Sequence, residues 1–79
     1  MKVLMTGKVR SVYLALIEHD QTPEVPKPGM HYYQYRVAVG HGVGKLEDHI
    51  LVTDTFTLDE ASKHYDNQNL AAAAGLYEE

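Results

Sequence analysis

The sequence predicts an α+β fold: a three-stranded antiparallel sheet with one C-terminal helix packed on one face, in the order β-β-β-α. Two runs rich in β-forming residues, HYYQYRVAV and DHILVT, flank a glycine-rich segment, which is typical of a hairpin. After Phe56 the apolar period changes from two residues to a helical spacing. The length of 79 residues predicts a single small domain, residues 1–79, whose core lacks any cysteine cross-link.

The three predicted strands are residues 9–19, 31–39 and 47–54. Residues 9–19 fit both helical and strand spacing, and their content of Val, Ile and Tyr favours a strand. Both faces of this run are apolar, so it needs cover on both sides. Residues 1–10 are expected to be frayed or to open the first strand, and residues 20–30, with three prolines, to form a surface loop.

The predicted helix begins at Leu58. Thr57 and Glu60 have the spacing of a capping box, in which each residue satisfies a free amide of the other. Residues 66–69 are poor helix formers and leave open whether the helix continues through them, and Gly75 is the expected stop. The apolar residues expected on a broadly common face of the helix are Leu58, Ala61, Tyr65, Ala72 and Leu76.

A single helix covers only one face of the sheet. The other face is expected to carry some of the apolar residues Val12, Leu14, Leu16, Tyr32 and Ala38, depending on the strand register. An apolar, tyrosine-bearing surface on a small protein usually meets a partner. We therefore expect a homodimer or a heteromeric interface on this exposed sheet face.

The segment VAVGHGVGKLEDH raises the question of a phosphate-binding loop. If Gly44 and Lys45 were the Gly-Lys pair of a Walker A loop, position 39 would be glycine and position 46 serine or threonine. These positions hold Val39 and Leu46. The segment is therefore predicted to be a hairpin loop, and no cofactor is expected.

Histidines are the remaining candidates for chemistry. The chain has five, but no His-Glu-x-x-His motif and no pair four residues apart on the helix. A cross-strand pair of His31 and His49 is the best metal hypothesis, and a small His-dependent metal-binding protein is one alternative. Because the chain has no cysteine and no serine in a nucleophile elbow, we identify no catalytic residue and expect a protein that is not an enzyme.

Charge is divided unevenly along the chain. Residues 1–45 carry six basic and three acidic side chains, a net +3, whereas residues 46–79 carry one basic and eight acidic ones, a net −7. This asymmetry indicates an electrostatic partner, although the acids could also simply solvate the helix. We expect an acidic, DNA-mimicking surface that binds a basic, nucleic-acid-binding groove of a partner protein through Glu47, Asp48, Asp54, Asp59, Glu60 and Asp66.

Tyrosines are the expected aromatic anchors of this interface: Tyr32, Tyr33 and Tyr35. The same residues beside Arg36 also fit the mixture of basic and aromatic groups that binds single-stranded nucleic acid. The net charge of −4 argues against that alternative, because such binding gains its affinity from neutralising phosphates.

The stretches LIEHDQTPEVP, YQYRVAVG and VTDTFTLDEASKHYDNQNLA resemble the anti-CRISPR proteins that phages encode, in particular small inhibitors of type I-C effector complexes. The resemblance spans much of residues 14–70 and contains no catalytic motif. It implies a protein–protein inhibitor that docks on the surveillance complex in the host cytosol and blocks target DNA binding. The alternative is a small dimeric regulatory or interaction domain without a nucleic-acid connection.

Overall fold

The structure, a computed structural model, describes residues 1–41 and 49–77, with the backbone alone for His49. Four strands precede one helix: β1 (Lys2–Val9), β2 (Val12–Glu18), β3 (Tyr35–His41), β4 (His49–Thr55) and α1 (Leu58–Ala73). The strands form one antiparallel sheet in the order β1-β2-β3-β4. The α+β class with one C-terminal helix is confirmed, and the prediction of three strands is wrong.

The additional strand is β1, which pairs with β2 along residues predicted either to be frayed or to open the first strand. The register shifts between Val3 and Met5, so a bulge interrupts the alternation of faces by which a strand is recognised in a sequence. As an edge strand β1 also buries little, and most of its residues are exposed. Residues 9–19 were predicted as one strand, but Arg10 and Ser11 form the turn between β1 and β2.

One face of the sheet packs against α1 and contains the core. The register places Leu14 opposite Val39 and Leu16 opposite Val37, and these side chains are at most 2% exposed. The helix contributes Ala61, Tyr65 and Ala72 to the same cluster, which also contains Val12. We had considered Val12, Leu14 and Leu16 for the exposed face, and that assignment is wrong because the helix covers them.

The opposite face, called the open sheet face below, lies on the side away from α1. Its residues follow from the strand pairs that alternate with the core positions. Ala38 belongs to it as expected, whereas Tyr32 precedes β3 and lies outside the sheet. The open sheet face consists of Val3, Thr6, Lys8, Tyr13, Ala15, Ile17, Arg36, Ala38, Val52 and Asp54.

Helix α1 is continuous from residue 58 to residue 73, including the stretch 66–69. Its N-cap is Thr57, whose Oγ1 accepts from the Glu60 amide at 3.2 Å and whose hydroxyl donates to Glu60 Oε1 at 3.0 Å. At the other end Gly75 has a φ of +80° and follows the C-cap, as predicted. Of the apolar residues predicted to share one face, Ala61, Tyr65 and Ala72 are buried. Leu58 and Leu76 are 46% and 73% exposed, and Leu76 lies beyond the end of the helix.

Candidate protein-binding surfaces

Three of the predicted partner-binding carboxylates lie on the helix and are exposed: Asp59, Glu60 and Asp66. We call these three residues the acidic helix surface. Asp59 and Asp66 are seven residues apart, which places them on the same side of the helix about 10 Å apart along its axis. Lys63 is also exposed and lies on that side between them. The surface therefore presents three carboxylates against one ammonium group.

Asp54 does not join the acidic helix surface. It lies on the open sheet face and binds Arg36 through two contacts, Nε to Oδ1 at 2.7 Å and Nη2 to Oδ2 at 3.2 Å. These hydrogen bonds from Arg36 hold the pKa of Asp54 below its usual value. The carboxylate is thus neutralised within the chain and points away from the helix. Glu47 and Asp48 lie outside the described residues.

One histidine and one glutamine, His19 and Gln21, carry buried polar atoms at the same end of the sheet as this ion pair. The nearby His19 further lowers the pKa of Asp54, although its effect is weaker than that of Arg36. Within the described ranges, His19 Nδ1 and Gln21 Nε2 are buried and have no partner at hydrogen-bond distance. This polar end distinguishes the open sheet face from its apolar centre.

The three predicted aromatic anchors have different surroundings. Tyr35 is partly buried and packs against the core, so it supports the sheet. The Tyr32 hydroxyl accepts from the Lys27 amide at 3.0 Å, which fixes the ring against the proline-containing loop. Tyr33 is 42% exposed and stacks on Phe56, with ring centroids 4.5 Å apart. Of the three, Tyr33 is the one available to a partner.

The proline-containing loop and the helix start also form a groove of about 690 Å³. Its apolar wall includes Pro26, Met30 and Phe56, and Thr57 lies at the end next to the helix. Asp20 flanks the groove because its carboxylate accepts from Gln34 Nε2 and from the Thr22 amide, and both residues line the groove. These hydrogen bonds, led by those of Thr22, lower the pKa of Asp20.

Sequence reasoning missed the apolar residues beside the acidic helix surface. Leu70 is 70% exposed, and it follows Asp66 by four residues on the outer side of α1. Leu58, at the first position of the helix, is also nearly half exposed. The sequence contained a signal for this exposure, because Leu70 is not among the residues predicted to share the apolar face of the helix. The buried residues of the helix are Ala61, Tyr65 and Ala72. An exposed leucine surrounded by polar residues is a candidate anchor for a protein partner.

The metal hypothesis of a cross-strand His31–His49 pair is wrong in its geometry. His31 precedes β3, whereas the backbone of His49 pairs with Gly40 at the far end of that strand. Among residues 1–41 and 49–77, no group of three or more histidine and acidic side chains is arranged to hold a metal ion.

The helix of the described chain does not reach the length and hydropathy that a bilayer crossing needs. No protein-family model matches the sequence, and no match was found among curated proteins or among solved structures. The functional assignment therefore depends on the surfaces described above and on the resemblance of residues 14–70.

Proposed function

We propose that this protein is a non-enzymatic inhibitor that binds a basic, DNA-binding surface of a host CRISPR effector complex, as an anti-CRISPR protein does. The observation that carries the proposal is the acidic helix surface, in which Asp59, Glu60 and Asp66 are exposed on one rigid helix. The resemblance to inhibitors of type I-C complexes identifies the partner to test first.

Rigidity supports the proposal because it keeps the three carboxylates in place before binding. The capping hydrogen bonds hold Glu60 against Thr57, and Ala61 and Tyr65 fix the opposite side of the helix in the core. Because the backbone that carries the carboxylates is already ordered, less conformational entropy is lost when a partner binds. Complementary potentials of this kind speed association and fix orientation.

The magnitude of the electrostatic effect limits what the carboxylates contribute. Exposed ion pairs are worth about 0.2–1 kcal/mol each, so three of them give at most about 3 kcal/mol. In B-form DNA about six phosphate charges occupy the same 10 Å of axis. Because Lys63 offsets one of the three carboxylates, the helix carries roughly a third of that charge density. Affinity must therefore also come from apolar contacts, for which Leu70 and Tyr33 are the exposed candidates.

A mobility-shift assay with a purified type I-C surveillance complex and its target duplex tests the function. We expect a stoichiometric amount of the wild-type protein to abolish the shifted DNA band. Asp59→Asn with Asp66→Asn removes two charges while keeping side-chain shape, and it should raise the concentration needed for inhibition about 2- to 30-fold. Undiminished DNA binding at a large excess of the wild-type protein would rule out this function.

A matched control separates the site from the total charge. Glu18→Gln with Glu24→Gln also removes two exposed carboxylates, but from the sheet end and the loop. This variant should inhibit like the wild type if the helix carries the contact. Equal losses for both double variants would mean that net charge matters and that the acidic helix surface has no specific role.

A further inference from the structure

The open sheet face is an apolar feature that the proposed function leaves unused. Ala15 on β2 pairs with Ala38 on β3 at the centre of this face. Both alanines are fully buried, and Ile17 is almost fully buried. At the edges of the same face, Val3 on β1 is 50% exposed and Val52 on β4 is 39% exposed. Exposed valines at both edges of a face with an apolar centre mark it as a candidate contact surface.

Strand β2 carries the clearest indication that this face is covered in the functional molecule. It is apolar on both sides, with Leu14 and Leu16 toward the helix and Ala15 and Ile17 toward the open sheet face. Strands of this composition are normally enclosed between two layers. The helix supplies one layer, and the described chain supplies no helix or strand as the second.

We infer that a second copy of this chain covers the open sheet face and forms a two-sheet sandwich. Charge favours a second copy over a charged partner. The chain carries −4 overall, yet this face has only Lys8, Arg36 and Asp54, and the last two form an ion pair. Two such faces meet without the repulsion that the acidic remainder of each chain would produce, and both acidic helix surfaces then point outward.

The size of the face is sufficient for a modest dimer. Four strands at a spacing of about 4.8 Å and seven residues at about 3.3 Å give a projected area of about 440 Å² per chain. Side chains roughen this surface, so two copies bury an accessible area near the lower end of specific interfaces, about 1,200 Å² in total. Packed sheets lie about 10 Å apart, a spacing that valines and isoleucines fill. We expect a dissociation constant of roughly 10–100 μM.

The test is sedimentation velocity of the full chain over a concentration series up to about 1 mM, for the wild type and two lysine variants. Val52→Lys places a charge in the proposed interface at an exposed edge position, where folding tolerates it. Leu70→Lys makes a comparable change on the outer side of the helix. Circular dichroism establishes that both variants are folded.

The inference predicts a dimer for the wild type and for Leu70→Lys, and at least tenfold weaker association for Val52→Lys. A wild type that stays monomeric at about 1 mM would overturn it. Dimerisation of Val52→Lys with the same affinity as the wild type would also overturn it, because the interface would then lie elsewhere. Neither result depends on whether the protein inhibits a CRISPR complex.

Discussion

At the scale of single residues, Gly7 and Tyr65 illustrate how closely the helix approaches the sheet. Gly7 lies on the helix side of β1, opposite Leu14. A Cβ atom at this position would be 2.7 Å from the Tyr65 hydroxyl oxygen. Tyr65 is only 6% exposed, and burial raises the pKa of its hydroxyl. Because Gly7 has no side chain, the hydroxyl end of the Tyr65 ring can pack against β1 at this position.

We predict that Gly7→Ala destabilises the fold by about 1–2 kcal/mol. Alanine in a strand gains about 0.5–1 kcal/mol over glycine in backbone entropy, but the contact with a buried, rigid ring costs more. In a Tyr65→Phe background the hydroxyl is gone, so the same substitution should be neutral or stabilising. Urea denaturation of the four proteins in this cycle measures the coupling. Equal effects of Gly7→Ala in both backgrounds would contradict the contact.

The Arg36–Asp54 pair gives a prediction about pH. Because the folded-state pKa of Asp54 is lowered, its contribution to stability is present above the unfolded value of about 3.9 and is lost as the pH falls through the folded value. Asp54→Asn should cost no more than about 1 kcal/mol at pH 7, since both side chains are about a quarter exposed. The difference between the two proteins should shrink at pH 3. A difference in unfolding free energy that is the same at both pH values would contradict the ion pair.

At the scale of elements, the end of α1 depends on the conformation of one glycine. The Leu76 amide donates to the Ala71 carbonyl and the Gly75 amide to the Ala72 carbonyl, at 3.1 and 3.0 Å, which is a Schellman motif. This motif requires a positive φ at Gly75, where the value is +80°. A Cβ atom there would also meet the Arg10 guanidinium at 2.5 Å, but that group ends a flexible side chain and can move.

We predict that Gly75→Ala destabilises the protein by about 1–2 kcal/mol through backbone strain, and that Gly75→Asn costs clearly less. Both residues add the same Cβ atom, but asparagine tolerates the left-handed conformation better. Comparison of the two variants in thermal unfolding isolates the conformational effect from the contact with Arg10. If alanine is tolerated as well as asparagine, the strain argument fails.

Elements with regular patterns could be predicted from the sequence, and irregular ones could not. The helix start at Leu58 follows from Thr57 and Glu60, and the hairpin of β3 and β4 follows from alternating runs around the glycine-rich segment. Strand β1 escaped prediction because its bulge breaks the alternation. Strand β3 begins at Tyr35, later than expected, because the chain before it makes only isolated backbone bonds, such as Gln34 N to Thr55 O.

At the scale of the whole molecule, the described carboxylates that were predicted to bind a partner are divided between the acidic helix surface and the open sheet face. The positions of Asp59 and Glu60 in the first turn of the helix could be derived from the sequence, because Thr57 marks the helix start. The position of Asp66 on the same helix could not, because residues 66–69 are poor helix formers. The ion pair between Asp54 and Arg36, which removes Asp54 from the predicted acidic surface, could not be derived from the sequence. It depends on the register between β3 and β4. Register across a loop of several residues is set by packing of the core, which a single sequence does not reveal.

The acidic helix surface and the open sheet face lie on opposite sides of the molecule. The acidic helix surface faces away from the sheet, and the open sheet face lies behind it. A dimer through the open sheet face would leave two acidic helix surfaces exposed. Such a dimer could bind two effector complexes, or one complex at two sites with increased avidity.

The salt dependence of binding to a type I-C surveillance complex tests the central claim most directly. Calorimetric titration of the wild type and of the Asp59→Asn, Asp66→Asn variant at several salt concentrations measures how affinity changes with ionic strength. The account predicts that the wild type weakens steeply as salt increases, and that the variant binds more weakly at low salt and changes less. Equal affinities for the two proteins at every salt concentration would contradict the acidic helix surface as the site of binding.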